Sequence, residues 1–192
     1  MIFGLETARL VLRQFKESDL EPFLAYRNDP EVAKYQGWSI PYPRDKAVGF
    51  VREMSVALPG WNKWLQVALE LKSRGEMIGD VAFSIMKDDE RQAIIGYSLA
   101  RPFWGQGYAF ESMSGLLGYL FDEMKLHRVI AECDVENTAS WKLLERLGFR
   151  REAYLVENLF FKDAYVSEYH YAMLGREWQE PHSSRRRETE AP

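Results

Sequence analysis

The sequence has little cysteine and little histidine, and both shortages exclude kinds of site. Among its 192 residues Cys133 is the single cysteine, which rules out an intrachain disulfide framework and a zinc site built from several cysteines. The three histidines lie at positions 127, 170 and 182, without the close spacing of metal-ligating motifs. The sequence therefore predicts no metal site.

Long apolar runs and an excess of positive charge are also missing. No uncharged run approaches the roughly 18 residues that a membrane span needs, and the first 15 residues contain one Glu and two Arg where a signal peptide would be apolar. With 25 Lys and Arg against 29 Asp and Glu the net charge is −4, whereas a nucleic-acid module is normally basic. We therefore expect a cytoplasmic protein whose partners are neither membranes nor nucleic acids.

Composition and patterning predict one domain and a short tail. Hydrophobic residues make up 46% of the chain and charged residues 28%, which is the globular range. No repeat and no Pro/Gly/Ser-rich linker interrupts residues 1–178, which we predict to form a single domain. Residues 179–192 are polar, lack apolar periodicity and include an Arg-rich run, so they are predicted to be a disordered tail.

Hydrophobic periodicity predicts an α+β protein with the element order β, helices, β-hairpin, β, α, β, α, β, β. The clearest helix follows Tyr108, where apolar residues recur on one helical face. The run AIIGYSLA, residues 93–100, is typical of a buried strand. Ser18 and Glu21 have the spacing of a capping box, which predicts a helix start near Asp19.

Aromatic residues are concentrated in the region before the predicted hairpin. The segment QGWSIPYP, residues 36–43, places Trp38 and Tyr42 among Gly and Pro, which predicts an aromatic loop of a kind suited to closing over a pocket. Any single aromatic residue is more often part of a core than of a ligand site, so a core position is the alternative.

The turn between the buried strand and the following helix is the most informative segment. It reads Trp104-Gly105-Gln106-Gly107-Tyr108-Ala109, and its small residues let a ligand approach the backbone closely. Free N–H groups at a helix start favour an anion, such as a phosphate or a pyrophosphate. The dinucleotide fingerprint fails at Phe110, and the Gly-Lys-Ser/Thr of a Walker A loop is absent. The spacing alone also fits a tight connection without a ligand.

A second landmark is the segment Asn137-Thr138-Ala139-Ser140, which opens a helix that Gly148 closes. Together with it, the stretches GYSLARPFWGQGYAFES, CDVENTASWKLLERLGF and RLVLRQF resemble the GCN5-related N-acetyltransferase (GNAT) superfamily, and most of all its RimJ/RimL-like ribosomal-protein branch. The likeness covers about Thr7 to Leu174. It implies a mixed, mostly antiparallel sheet of about six or seven strands, flanked by helices and splayed at the central strands. It also implies acetyl-coenzyme A as the co-substrate.

In that family a loop written R/Q-x-x-G-x-G/A holds the pyrophosphate of acetyl-coenzyme A through its backbone amides. Gly107 and Ala109 match its last two fixed positions, whereas Trp104 stands at the R/Q position, so the resemblance implies the backbone contacts without that side-chain contact. It also implies that a backbone N–H near Tyr97 polarises the thioester carbonyl. The coenzyme-binding residues that it implies are Leu99, Ala100, Trp104, Gly105, Gln106, Gly107, Tyr108, Ala109, Asn137 and Ser140.

The resemblance implies that an amine attacks the thioester directly, so Cys133 is expected in the core rather than at the reaction. The position of the superfamily's usual Tyr acid is Leu144 here; the ribosomal-protein branch is thought to use a Ser instead, and Ser140 matches it. Ser140 is thus a candidate catalytic acid, or a residue that only stabilises the first helical turn. Asn137 is a candidate helix cap, a ligand of the pantetheine arm, or both.

The general base and the acceptor are less determined by the sequence. The two positions where relatives carry a Glu read Ile94 and Leu159, and Glu157, two residues before Leu159 on the same face of a predicted strand, is a candidate base. A solvated surface Glu is the alternative. The expected acceptor is a primary amine, and a protein N-terminal α-amine first. A small-molecule amine acetyltransferase and a non-catalytic coenzyme A-binding module are the rival interpretations, and a homodimer is a possible assembly.

Overall fold

The structure, a computed structural model, describes residues 4–179. Of the predicted tail, residues 179–192, only Gln179 lies within that range, at the end of a helical stretch. The described residues divide into two compact units, 4–85 with 95–116 and 86–94 with 117–179.

The strands form one mixed sheet, mostly antiparallel as predicted. They are β1 (Gly4–Glu6), β2 (Leu10–Arg13), β3 (Leu65–Leu71), β4 (Glu76–Ile85), β5 (Gln92–Leu99), β6 (Arg128–Asp134), β7 (Arg150–Phe161) and β8 (Ala164–Leu174). Their order is β1-β2-β3-β4-β5-β6-β8-β7. β5 and β6 pair in parallel, whereas β1-β2-β3-β4 and β6-β8-β7 pair antiparallel. The sheet has eight strands rather than the six or seven expected, because three-residue β1 is too short to show alternation.

Five α-helices lie within residues 4–179, and they include the predicted helices near Asp19, after Tyr108 and after Asn137. They are α1 (Leu20–Arg27), α2 (Pro30–Ala33), α3 (Arg44–Met54), α4 (Tyr108–Gly118) and α5 (Thr138–Leu147). The apolar stripe predicted after Tyr108 is confirmed, since Met113 and Leu116 of α4 are fully buried. No helix within residues 4–179 combines the length and the apolar character that a membrane crossing requires.

Aromatic rings build the helical side of the core in the first unit. Phe23 of α1 stacks on Phe50 of α3 with ring centroids 4.9 Å apart, and Tyr42 is buried beside them. Trp38 donates its indole N–H to the Arg27 carbonyl at 2.9 Å, and its ring centroid lies 3.6 Å from the buried Arg27 guanidinium. Residues 36–43 form a loop, as predicted. Trp38 and Tyr42 nevertheless pack into this core, which is the alternative, and do not close over a pocket.

The start of α1 also differs in detail from the sequence prediction. Its position near Asp19 is confirmed, but the buried Asp19 carboxylate accepts from the Lys16 amide and pairs with Arg13, both at 2.7 Å. The capping box predicted from Ser18 and Glu21 is wrong. An ion pair with strand β2 draws Asp19 inward, so the capping contacts form further upstream.

The second unit contains the parallel pairing and the last hairpin. Gln92–Ile94 of β5 pair in parallel with Arg128–Ile130 of β6. Helix α5 begins after Asn137 and ends at Gly148, whose φ of 95° is the left-handed conformation of a helix-ending glycine. Both ends of this helix lie where the sequence predicts them.

Candidate active site

The loop between β5 and α4 has the backbone geometry of an anion site. Gly105 and Gly107 adopt φ angles of 71° and 82°, the left-handed region that glycine enters without steric cost. Within residues 4–179, no protein group accepts a hydrogen bond from the amides of Gly105, Gln106 and Gly107. The loop leads directly into the 11-residue helix α4, whose N-terminal dipole adds positive potential. The arrangement therefore suits a phosphate or a pyrophosphate.

Trp104 binds back onto the end of β5. Its indole N–H donates to the Leu99 carbonyl at 2.7 Å, although the side chain is 45% exposed. Ala100 uses both backbone groups internally, since its amide donates to Ile78 at 2.9 Å and its carbonyl accepts from Phe103 at 3.0 Å. A ligand at the predicted Leu99 and Ala100 positions would therefore have to compete with protein partners. Trp104, which stands at the R/Q position, therefore connects the loop to the end of β5.

A side chain from the α2 region contacts β5 where the thioester is expected. Gln36 donates from Nε2 to the Tyr97 carbonyl at 3.2 Å. The Trp64 ring lies over Gly96, where an added Cβ would be 3.8 Å from it. The sequence gives no signal for either contact, since both residues lie far from β5 along the chain.

The first turn of α4 is braced by the turn between β1 and β2. The Glu111 carboxylate accepts from the Thr7 hydroxyl, from the Arg9 amide and from Arg9 Nε, each at 2.6 Å. Arg9 Nη1 donates to the Gln106 carbonyl at 3.0 Å, and the guanidinium lies 4.3 Å from the Tyr108 ring centroid. Burial alone would raise the pKa of Glu111, but these hydrogen bonds outweigh it and lower the pKa.

The predicted residues of the second unit meet at the start of α5. Asn137 accepts from the Ser140 amide at 3.3 Å, so its helix-capping role is confirmed. The Ser140 side chain hydrogen-bonds the Cys133 thiol, which the sequence does not predict. Cys133 is buried in β6, as expected. Burial raises the pKa of its thiol to about 11, although the contact with Ser140 opposes the shift.

We expect Cys133 to be unreactive in the folded protein. With a pKa of about 11, a thiol is ionised to about one part in a thousand at pH 8, and Cys133 is only 8% exposed. An aromatic disulfide reagent should therefore detect no fast thiol in the native protein and one per chain after denaturation. Rapid labelling of the native protein would contradict the burial of Cys133.

Glu157 does not share a regular strand face with Leu159. The register between β7 and β8 shifts between Leu155 and Leu159, and Glu157 has a φ of 48° within that irregular stretch. Its amide donates to the Ser167 hydroxyl at 2.9 Å, and Glu157 is exposed. Alternation along β7 therefore does not determine the face on which Glu157 lies, because a bulge interrupts it.

Two paired strands bring together donors that spacing along the chain does not reveal. Glu132 of β6 lies opposite His170 of β8, and Glu168 lies two residues before His170. One ligand atom from each of the three lies within 4.8 Å of the others. His170 Nε2 is buried without a hydrogen-bond partner among the described residues. The prediction of no metal site rests on the spacing of residues along the chain, which does not reveal a cluster formed across two paired strands.

The predicted site residues thus fall into separate groups. Leu99, Ala100 and the loop from Trp104 to Ala109 lie together in the first unit. Asn137 and Ser140 lie together beside Cys133 in the second unit, and Glu157 belongs to β7 of the same unit.

The mixed sheet leads through the glycine loop into helix α4, and among residues 4–179 the loop amides have no acceptor. The chain belongs to the GNAT family, since the acetyltransferase (GNAT) domain matches residues 9–150. It is 31% identical to an uncharacterized N-acetyltransferase p20 of Bacillus licheniformis over 91% of this chain and 97% of that protein.

Further relatives agree with this assignment. A crystal structure of a GNAT-family acetyltransferase from Bacillus anthracis superposes with a TM-score of 0.80 and 30% identity, covering 91% of this chain and 99% of that one. A ribosomal protein uS5-alanine N-acetyltransferase of Escherichia coli is 28% identical over 81% of this chain and 82% of that protein. This chain is therefore an acetyl-coenzyme A-dependent N-acetyltransferase.

Proposed function

We propose that the enzyme acetylates the N-terminal α-amine of a protein in a ternary complex with acetyl-coenzyme A. The observation that carries the cofactor half of this proposal lies directly before α4. The amides of Gly105, Gln106 and Gly107 have no acceptor among the described residues. Hydrogen bonds from backbone amides do not depend on the side chain at the R/Q position, so Trp104 does not argue against coenzyme A binding. We further propose that this loop holds the pyrophosphate and that the enzyme belongs to the ribosomal-protein branch.

The preference for an α-amine rests on its protonation state. An α-amine with a pKa of about 7.7–8.0 is roughly 10% neutral at pH 7, whereas a free Lys with a pKa of about 10.4 is below about 0.1% neutral. Ile94 and Leu159 occupy the two positions where relatives carry a Glu, so this chain lacks those bases. A weakly basic amine needs less help from a base. The E. coli relative named as a uS5-alanine N-acetyltransferase supports the same class of acceptor.

For the residues near the reaction, we propose that Ser140 donates a proton to the thiolate that leaves as the amine attacks the carbonyl. Its hydroxyl is half-buried at the first turn of α5, and Asn137 fixes its backbone. The Asn137 side-chain amide keeps donors that can bind the pantetheine arm while its oxygen caps the helix. Glu157 stays a candidate base. It is exposed and lies on a bulge, so strand alternation does not determine which way its carboxylate points.

We expect Ser140→Ala to lower kcat with little change in the Kd for acetyl-coenzyme A. A proton donor to the thiolate acts mainly in the transition state, so its loss appears in turnover rather than in binding. The effect should lie at or below the lower end of the roughly 10²–10⁴-fold range of general acids, because a thiol with a pKa near about 8.5 is already a tolerable leaving group. Steady-state kinetics, calorimetry and the melting temperature measured on one preparation decide the question.

Cys133→Ala is the matched control for this variant. It removes the same Ser140–Cys133 hydrogen bond but leaves the serine hydroxyl in place. We expect it to keep near wild-type kcat. Wild-type turnover in Ser140→Ala, or equal losses in both variants, would remove Ser140 from the catalytic residues.

A thiol-release assay across acceptors tests the proposed function as a whole. We expect acetyl-coenzyme A to be consumed with short peptides that carry a free N-terminal Ala or Ser. The same peptides with a blocked N-terminus but an internal Lys should be poor acceptors. Turnover confined to polyamines or amino acids would favour a small-molecule acetyltransferase. No turnover with any amine, despite coenzyme A binding, would favour a non-catalytic module.

A further inference from the structure

The position of one loop carbonyl determines where a neighbouring amide points. In a trans peptide the C=O of one residue and the N–H of the next face opposite directions across a planar unit. The Gln106 carbonyl accepts from Arg9 Nη1 at 3.0 Å. The Gly107 N–H in the same peptide therefore points away from Arg9. This N–H is one of the loop amides that have no acceptor within residues 4–179.

The bonds formed inside the loop do not hold that peptide. The Gln106 side-chain amide donates to the Pro102 carbonyl at 2.8 Å and the Gly107 carbonyl accepts from the Glu111 amide at 3.0 Å, but neither contact involves the Gln106–Gly107 peptide. Glycines stand at both 105 and 107 with φ angles of 71° and 82°, and glycine readily exchanges between such conformations and their mirror images. A flip of the Gln106–Gly107 peptide would turn a carbonyl oxygen toward the anion site and remove a donor. An external hydrogen bond to Gln106 is thus what selects the orientation suited to an anion.

Arg9 is held rigidly enough to act as that external group. Its Nε and its amide both bind the Glu111 carboxylate at 2.6 Å, and Thr7 binds the same carboxylate. The guanidinium carbon lies 4.3 Å from the Tyr108 ring centroid, within the distance of a cation–π contact. The Lys72 amide donates to the Arg9 carbonyl at 3.0 Å, so the backbone of Arg9 is tied to the end of β3. The charge of Arg9 is balanced by Glu111 before any anion binds.

We infer that Arg9 is a positioning residue of the coenzyme A loop, which orients the Gly107 N–H toward the pyrophosphate through its bond to the Gln106 carbonyl. This inference rests on the proposed coenzyme A site. Arg9 acts on the ligand through the peptide and not as a phosphate ligand itself. Its removal should therefore weaken every ligand that carries the pyrophosphate and leave a ligand without phosphates unaffected.

The test compares Arg9→Gln with wild type on three ligands. We expect the Kd values for coenzyme A and for dephospho-coenzyme A, which lacks the 3′-phosphate, to rise by the same factor of about ten. The kcat/KM for acetyl-pantetheine, which has no phosphate, should stay within about twofold of wild type because this ligand makes no pyrophosphate contact. Arg9→Lys should recover part of the affinity, since an ammonium can still reach a carbonyl.

Arg101→Gln serves as the charge-matched control. Arg101 stands just before the same loop but pairs with Asp29 at 2.9 Å instead of with the loop backbone. We expect less than about a twofold change in this variant, because exposed ion pairs contribute little. If Arg101→Gln lost as much affinity for coenzyme A as Arg9→Gln, the positive charge and not the bond to the Gln106 carbonyl would explain the effect, and the inference would be overturned.

The remaining outcomes separate this inference from the proposed site. Wild-type affinity in Arg9→Gln would overturn it while leaving the coenzyme A site intact. A loss that vanishes for dephospho-coenzyme A would show that Arg9 binds the 3′-phosphate directly, and this also overturns it. An equal loss with acetyl-pantetheine would mean a general structural role. Failure of wild type to bind coenzyme A would overturn the proposed site together with the inference.

Discussion

Gly79→Ala is expected to destabilise the protein by about 3 kcal/mol or more, at the upper end of the cost of overpacking a core. A Cβ at this position would lie 2.3 Å from the Ser98 carbonyl oxygen and 2.9 Å from Leu99 Cα. Both atoms belong to the backbone of β5, so no side-chain rotation can relieve the clash. The two strands would have to separate at the end of β5, where the glycine loop begins. Urea denaturation of the two proteins measures the difference.

Gly96→Ala is the control for this prediction, because it makes the same change on the neighbouring strand. An added Cβ at Gly96 meets only the Trp64 ring at 3.8 Å, which is an ordinary contact. We expect a change within about 1 kcal/mol, since the added methyl group also restricts the unfolded chain. Equal stability of Gly79→Ala and wild type would show that β4 and β5 are not in such close contact.

Gly107→Val is expected to weaken coenzyme A binding by more than about tenfold while the protein stays folded. Gly107 has a φ of 82°, which a β-branched residue adopts only with a strain of about 1–2 kcal/mol. An added Cβ would also lie 3.4 Å from Arg9 Nη2, so the valine side chain would crowd the guanidinium that donates to the loop. Loss of the Gly107 conformation misdirects the amides that are proposed to hold the pyrophosphate. Calorimetry on the folded variant measures the loss.

Gly75→Val separates the loss of binding from backbone strain. Gly75 has a φ of 64° in the turn between β3 and β4, and an added Cβ there meets nothing within 4 Å. Gly75→Val should lose about as much stability as Gly107→Val, but it should bind coenzyme A with wild-type affinity. If Gly107→Val bound coenzyme A as tightly as wild type, the phosphates would have to sit elsewhere.

Local patterns in the sequence are sufficient to predict most elements and the loop. The helix after Tyr108 and the helix from Asn137 to Gly148 have strong periodicity and clear end signals, and both are confirmed. The family loop is likewise a local motif, so its place between strand and helix follows from adjacent residues. Family membership is confirmed on the same segments.

Contacts between distant residues are the part that local patterns could not predict. The hydrogen bonds between Arg9 and Glu111 join residues that are 102 positions apart. Gln36 and Tyr97, which also contact each other, are 61 positions apart. A bulge, which needs both strands to define it, invalidates the face assigned to Glu157. The Gly and Pro around Trp38 and Tyr42 correctly predict a loop but carry no information on where these two side chains pack. The buried Arg27, which Trp38 covers, is visible only in the folded core.

A crystal structure of the enzyme with coenzyme A tests the central claim most directly. We predict pyrophosphate oxygens within about 3 Å of the backbone nitrogens of Gly105, Gln106 or Gly107, the usual distance for such hydrogen bonds. The Arg9 guanidinium should still hold the Gln106 carbonyl in that complex. A pyrophosphate bound elsewhere, with the loop amides still without an acceptor, would contradict the account.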